Sequence, residues 1–569
     1  RLDEAQRILR EVPGVTALVY DQRCAAEKRR LRKRGKLPDP ALRVVINELV
    51  CEGCGDCGVK SNCLSVQPVD TEFGRKTQVH QSSCNKDYSC LRGDCPSFLT
   101  VVPAAGPRPR ARKRHTVDRD LPEPELRVRR AASLFLMGIG GTGVVTVNQI
   151  LGTAALLDGK HVAGLDQTGL SQKGGPVVSH LRIADAEADI AGKVGVAEAD
   201  TYLGFDLLVA TAAPNLLRAR PDLTIAAVST TQVPTGAMVA STDVAFPDPG
   251  GLVSSINRVT RKDENVFVDA LGLGEALFGD HMAANMILLG AAYQAGAIPI
   301  RAAAIERAIA LNAVQVEMNV QAFRVGRLVV ADPGWMSTVE RSRAGAVTTR
   351  AELGPEARAL VDSVGAAGEL RRLLTVRVPE LIAYQDVAYA RRYVELVARV
   401  AGAERAAVPG QTRLAEAVAR HLYKLMAYKD EYEVARLHLR PEVRESIRAE
   451  LGEAEVRYQI HPPILRALGL RRKLSLGAWI EGPFRMLVAL RRLRGTALDP
   501  FGYARVRRVE RALVAEYRGM VERELVGLAE DGYERAVRIA SLPDVVRGYE
   551  DIKLRNVQRF RDGARALGA

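Results

Sequence analysis

The chain has 569 residues, 47% of them hydrophobic and 26% charged, a globular composition with room for roughly three or four domains. Its net charge of +14 is scattered rather than gathered into one arm, and only 5% of residues are aromatic, so base-stacking platforms are scarce and nucleic acid is excluded as the partner. No apolar run approaches the roughly 18 residues of a membrane-spanning helix.

In chain order, residues 1–40 open inside an amphipathic helix (Leu2, Ala5, Ile8, Leu9). A short strand over Val15–Tyr20 and a basic segment, Lys28 to Arg34, follow. This start reads as the middle of a longer polypeptide or one piece of a complex. Residues 41–105 hold seven of the eight cysteines; Cys24, outside that block, reads as a small buried residue. Residues 106–131, rich in proline and arginine, read as a linker. Residues 132–335 alternate apolar runs (Leu134–Gly138, His161–Leu165, Leu207–Thr211, Leu223–Ser229, Asn265–Asp269) with helical segments. That alternation predicts βαβ units and a mainly parallel sheet. Residues 336–569 read as a mostly helical, basic domain with amphipathic stretches such as Leu414–Leu439. The fold class is thus α/β multidomain: a ferredoxin-like domain, an α/β domain and a helical domain.

The cysteines run Cys51-x2-Cys54-x2-Cys57-x5-Cys63, then Cys84-x2-Asp87-x2-Cys90-x4-Cys95-Pro96. Three cysteines at three-residue spacing wrap a loop around an iron–sulfur cubane, and in two-cluster ferredoxins the fourth cysteine of each run serves the other cluster. By that rule Cys51, Cys54, Cys57 and Cys95 hold one [4Fe–4S] cluster. Cys63, Cys84 and Cys90 hold a second, with Asp87 where a fourth thiolate is missing; this site is an Asp-ligated [4Fe–4S] or a [3Fe–4S] cluster. A zinc site needs four ligands in two pairs, which this spacing does not offer.

Gly138-Ile139-Gly140-Gly141-Thr142-Gly143 follows an apolar strand, opens a helix and satisfies G-x-G-x-x-G, with Asp166 ending the next strand where a ribose-binding acid would sit. The loop that follows, Gln167 to Pro176, is unlike a dinucleotide domain. Its Ser171 and Lys173 suit contact with an anionic ligand, together with Gly138, Gly140, Gly141 and Gly143. His180 reads as a structural histidine.

The cysteine runs, the GIGGTG turn, the stretch Thr168–His180 (TGLSQKGGPVVSH) and Ile309–Gly326 together resemble the 2-oxoacid:ferredoxin oxidoreductases, most closely the fused indolepyruvate ferredoxin oxidoreductases. The resemblance implies oxidative decarboxylation of an aryl or branched 2-oxo acid to an acyl-CoA, with electrons passed through iron–sulfur clusters to ferredoxin. It makes residues 132–335 the γ domain and residues 1–40 the tail of a thiamine-diphosphate-binding domain. The GDG…N signature for thiamine diphosphate and magnesium does not occur in the sequence. The resemblance therefore places that cofactor on a companion half, with coenzyme A as co-substrate, a dimer of catalytic units as the assembly and the cytoplasm as the location. The rival readings are an NAD- or flavin-dependent iron–sulfur oxidoreductase and a zinc-stabilised basic binding protein. No catalytic residue can be named.

Overall fold

The computed structural model describes residues 2–104, 115–169, 174–185, 191–344, 353–461 and 472–569. A helix, α1 (Leu2–Glu11), opens the chain with no buried residue. The expected strand over Val15–Tyr20 does not form: Val15, Val19 and Tyr20 are exposed, and a strand without a neighbour is not stable by itself. Cys24 is likewise exposed, not buried. Helix α2 (Ala25–Lys33) then reaches the cysteine block, where Arg29 and Arg32 donate to the carbonyls of Ser83 and Asn85.

The cysteine block is a small module. Strand β1 (Arg43–Ile46) pairs antiparallel with β4 (Phe98–Pro103), Val44 opposite Thr100. Between them lie helix α3 (Asp56–Ser61) and a hairpin of β2 (Val66–Thr71) and β3 (Gly74–Val79). Alternate residues of β1 and Phe98 of β4 turn onto the cysteines, so Val44, Ile46, Phe98, Cys51, Cys57 and Cys90 share one core, while Leu99 and Val101 pack on the opposite face with Ala435 and Tyr458.

The α/β domain is built on a six-stranded sheet, in which β5 (Ala132–Ile139) is buried almost throughout because both faces are covered. On one side of β5 lie β8 (Thr201–Gly204), β9 (Ile225–Ser229) and β10 (Val266–Val268), all parallel. On the other lie β7 (Pro176–Ala184) and then β6 (His161–Thr168), each antiparallel to its neighbour. The mainly parallel sheet is as expected, with one misplaced strand. Leu207–Ala210 is a helix, because Asp206 accepts from the Val209 N–H at 2.9 Å and caps it; the strand is Thr201–Gly204. The expected linker also differs. In its described part Val117 is buried, Arg119 pairs with Asp332 and Arg129 with Asp200, so residues 115–131 are strapped to the α/β domain.

Beyond residue 353 the chain is helical around a core that includes Leu373, Tyr393, Leu396, Tyr517 and Phe560. It is not helical throughout. Strand β11 (Ala454–Ile460) pairs with β4, and β12 (Leu474–Leu476) pairs with β11, so the C-terminal region extends the sheet of the cysteine module. Among the described residues no helix is long and apolar enough to cross a membrane.

Candidate functional site

The cysteines sit in the pocket between α3, the β2–β3 hairpin and the start of β4. Burial pushes the Cys51 thiol up, Cys54 up to about 12 and Cys57 well above the usual range. In all three the next contribution comes from Cys95. Cys90 is pushed up to about 12 by burial, then by Cys84, Cys63 and Asp87. Cys95 thus acts on Cys51, Cys54 and Cys57 (a first group) and Cys84 and Cys63 act on Cys90 (a second), while Cys90 also acts on Cys57 across the two.

Such thiols are inert as nucleophiles, since burial keeps the proton on; a cation that replaces those protons is what this environment accepts. Among the described residues no three His, Cys, Asp or Glu side chains converge on a site for one metal ion. The backbone is arranged for charged sulfur. Gly53 N–H lies 3.3 Å from Cys51 Sγ, Lys86 N–H 3.4 Å from Cys84 Sγ, and Cys95 Sγ is 2.9 Å from Ser97 Oγ. Gly53 holds φ at +62°, and a Cβ there would meet the Arg75 carbonyl oxygen at 2.1 Å. The thiol-only donor sets and the N–H groups aimed at sulfur fit iron–sulfur cores.

Asp87 lies beside the second group but is exposed. Its Oδ1 accepts from Ser89 N (3.1 Å) and Ser89 Oγ (2.9 Å), which caps the turn leading to Cys90.

A ring of charge surrounds the first group. Glu52 pairs with Lys429 (3.0 Å) and Lys553 (3.1 Å). Burial would raise its carboxyl, but Lys553 and Lys429 outweigh that and hold it well below the usual range. Lys76, buried in the hairpin, is pushed down to about 7 by burial and then by Lys429. Lys429 also donates to the Cys51 carbonyl at 2.9 Å.

The glycine turn is closed by its own domain. Asn285 donates to the Thr142 carbonyl, and Gly143, at φ +91°, has no room for a side chain because a Cβ would sit 2.7 Å from Asn285 Nδ2. Gly140 N–H donates to the Gly175 carbonyl at 2.6 Å. The cavity behind the turn, lined by Thr142, Phe205, Ser229, Thr231, His281 and Asn285, measures about 30 Å³, room for about two or three waters. Asp166 is two strands from β5, hence about 9–10 Å across the sheet. Its carboxylate accepts from Asn148 and Ser179. Gly138 packs against Val144 and Phe205. Ser171 and Lys173 lie outside the described residues. His180 is buried, its Nδ1 accepting from Val194 N–H at 3.1 Å, and burial lowers it to about 4; this is the structural role expected of it.

The two units meet at named contacts. Leu64, next to Cys63, packs against Gly174, and Val239 of the helix Gly236–Ala240 packs on Gly58 of α3. His80 pairs with Glu275, and Ser82 Oγ donates to the same carboxylate at 2.9 Å.

Residues 133–329 match the family described as pyruvate ferredoxin/flavodoxin oxidoreductase. Residues 370–566 match a family of unknown function, DUF6537. The indolepyruvate oxidoreductase subunit IorB of Pyrococcus horikoshii is 29% identical over 202 residues, covering 34% of this chain and 93% of that protein. Its counterpart in Archaeoglobus fulgidus is 24% identical over 199 residues, covering 34% and 92%. The α/β domain belongs to the 2-oxoacid:ferredoxin oxidoreductase family. Among solved structures, the PORC subunit of pyruvate oxidoreductase from Thermotoga maritima is similar at 20% identity and a TM-score of 0.26, covering 35% of this chain and 96% of that one. The γ subunit of the keto/oxoacid ferredoxin oxidoreductase of Geobacter sulfurreducens gives 19% and 0.25, with 35% and 98% covered. Sequence reasoning missed Asn285, Glu52, Lys76 and Lys429. Each acts across a long sequence separation, and none belongs to a motif.

Proposed function

We propose that this chain is the electron-transfer and γ portion of an indolepyruvate-type 2-oxoacid:ferredoxin oxidoreductase, and that Cys51, Cys54, Cys57 and Cys95 hold one [4Fe–4S] cluster. Cys63, Cys84 and Cys90, with Asp87 at the fourth position, hold the second, an Asp-ligated [4Fe–4S] or [3Fe–4S] cluster. When bound, the clusters supply one-electron carriers, while thiamine diphosphate with magnesium on a companion half supplies the decarboxylating chemistry. Coenzyme A takes the acyl group, ferredoxin takes the electrons, and the catalytic units pair as a dimer. The eight cysteines are free thiols, as suits a reducing cytoplasm.

One observation supports this reading: seven cysteines, three of them buried and four half-buried, cluster against the oxidoreductase-family domain, joined to it through Leu64, Val239 and the His80–Glu275 pair. The chain's own residues bury Cys51, Cys57 and Cys90, direct N–H groups at the sulfurs of Cys51 and Cys84 and set lysines around the first group. Water exclusion and fixed dipoles of this kind set the potential of such centres.

The test is anaerobic purification with iron and sulfide analysis, then ferredoxin reduction in the presence of the companion half. Two clusters per chain and reduction that needs both an aryl 2-oxo acid and coenzyme A are expected. Zinc without sulfide, or reduction driven by NADH, would overturn the assignment.

A further inference from the structure

The C-terminal region, whose residues 370–566 match a family of unknown function, does more than lie beside the cysteine module. It adds β11 and β12 to the module's sheet. Tyr549 Oη donates to the Val50 carbonyl at 2.6 Å, and Gly548 approaches Cys54 so closely that a Cβ on it would meet Cys54 Cβ at 3.3 Å. Immediately before β12 the chain carries Lys473 into this interface. Its Nζ is buried, lies 4.3 Å from the centroid of the Phe98 ring and has no hydrogen-bond partner among the described residues. Phe98 in turn borders Cys57: both lie 3.1 Å from the position a side chain at Gly93 would take.

Several of the other cations nearby are held in ion pairs, Lys76 of the hairpin, which also acts on Cys51, not among them. Lys60 pairs with Asp56 and Asp94, Lys429 and Lys553 share Glu52, and Lys86, beside the second thiol group, pairs with Asp39. A buried ammonium facing an aromatic ring and hydrogen-bonded to no carboxylate is costly. It becomes favourable when a net negative core occupies the neighbouring thiolates, and more so once that core takes an electron. Burial moves Lys473 down from the usual lysine range, while Cys95, Asp94 and Cys57 act to raise it.

We propose that the C-terminal domain is a working part of the electron-transfer unit, and that through Lys473 it raises the potential of the cluster on Cys51, Cys54, Cys57 and Cys95 relative to the second cluster. This rests on the cluster assignment above. The domain thereby orders the two centres, making the first the better electron acceptor.

The experiment is an anaerobic redox titration of the full chain followed by EPR, on the parent and on K473M, K473Q and K473R, with iron and sulfide counted in each. In K473M the reduced-to-oxidised ratio of the first cluster at a fixed poise should fall about tenfold, which for one electron is about 59 mV. The second cluster's midpoint should stay put, and K473R should behave like the parent. Unshifted midpoints in a K473M chain carrying both clusters would overturn the role of Lys473, as would equal shifts of both clusters. Should K473M hold no first cluster, K473Q is titrated in its place. Loss of the first cluster in both neutral variants but not in K473R supports the proposal, and its loss in all three overturns it. A parent chain without iron and sulfide on the first thiol group overturns the cluster assignment itself, a result distinct from any of these.

Discussion

At the scale of single residues, two carboxylates beside the thiols carry opposite expectations. Glu52 is buried between Lys429 and Lys553, with Lys76 close by. Glu52→Gln leaves those ammonium groups buried without their counter-charge, and breaking such a pair from one side costs about 3–5 kcal/mol. Urea denaturation of the iron-free protein should show a loss of this size; a loss below about 1 kcal/mol would place the lysines in water instead. Asp87 is exposed and serves one oxygen to Ser89. As the fourth ligand of the second cluster, a hard oxygen holds its iron less firmly than thiolate does. Brief air exposure should therefore raise the EPR signal of a three-iron cluster, and ferrous iron under reduction should remove it. Asp87→Cys should abolish this lability and Asp87→Asn, which preserves an acceptor for Ser89, should not. If Asp87→Cys responds like the parent, Asp87 only caps its turn.

At the scale of elements, His438 fastens the helix Glu431–His438 to the cysteine module. Its Nδ1 accepts from Asn47 Nδ2 (3.2 Å) and its Nε2–H donates to the Pro96 carbonyl (3.0 Å). Burial lowers it to about 4, the Pro96 bond acting the other way. Because the folded value lies below the ordinary 6.5 or so, the unfolded chain takes up the proton first. Stability from this group is present above about pH 6.5 and is lost as pH falls toward about 4, up to about 3 kcal/mol. A pH series of denaturation curves should show this loss in the parent and a flatter profile in His438→Phe. The glycine turn gives a second expectation at this scale. With Asn285 in its mouth and Asp166 engaged two strands away, calorimetric titration with NAD(H) or NADP(H) should show no binding. Micromolar affinity would mean the turn opens.

What was legible in the sequence follows from range. The clustering of the seven cysteines was readable because close spacing within a loop is local chemistry, and β5, β9 and β10 because buried strands are continuous apolar runs. Leu207–Ala210 is an apolar run too, and only Asp206 before it decides for helix. Strand order, which inserts β7 between β5 and β6, was not readable. Nor was the Asn285 plug, 143 residues from the carbonyl it reaches, nor the loan of β11 and β12 to a module that begins some hundreds of residues earlier.

At the scale of the whole molecule, the net charge of +14 bears on how an acidic partner would dock. Of the basic residues between positions 466 and 494, Arg466 and Arg471 lie outside the described residues, Lys473 is turned inward, and Arg494 is buried against Asp430. Arg491 is half-buried, while Arg472, Arg485 and Arg492 are exposed, and beside them Trp479 and Met486 are 67% and 61% exposed. This apolar patch edged by arginines has the make-up of a protein-docking surface. It sits on the segment that covers β4: Phe484, from the same helix as Arg485, stacks on His438, which donates to Pro96 next to Cys95. An acidic ferredoxin docked there would lie over the first thiol group. Its second-order reduction rate should fall steeply as salt rises to about 0.15 M, where charges are screened beyond roughly 8 Å. Reversing Arg485 and Arg492 to glutamate should slow the reaction at low salt, flatten its salt dependence and leave the cluster potentials where they were. That last condition separates docking from tuning, because both substituted side chains point to water whereas Lys473 does not. A parent rate indifferent to salt would make these arginines ordinary solvated surface and put the exit for electrons elsewhere.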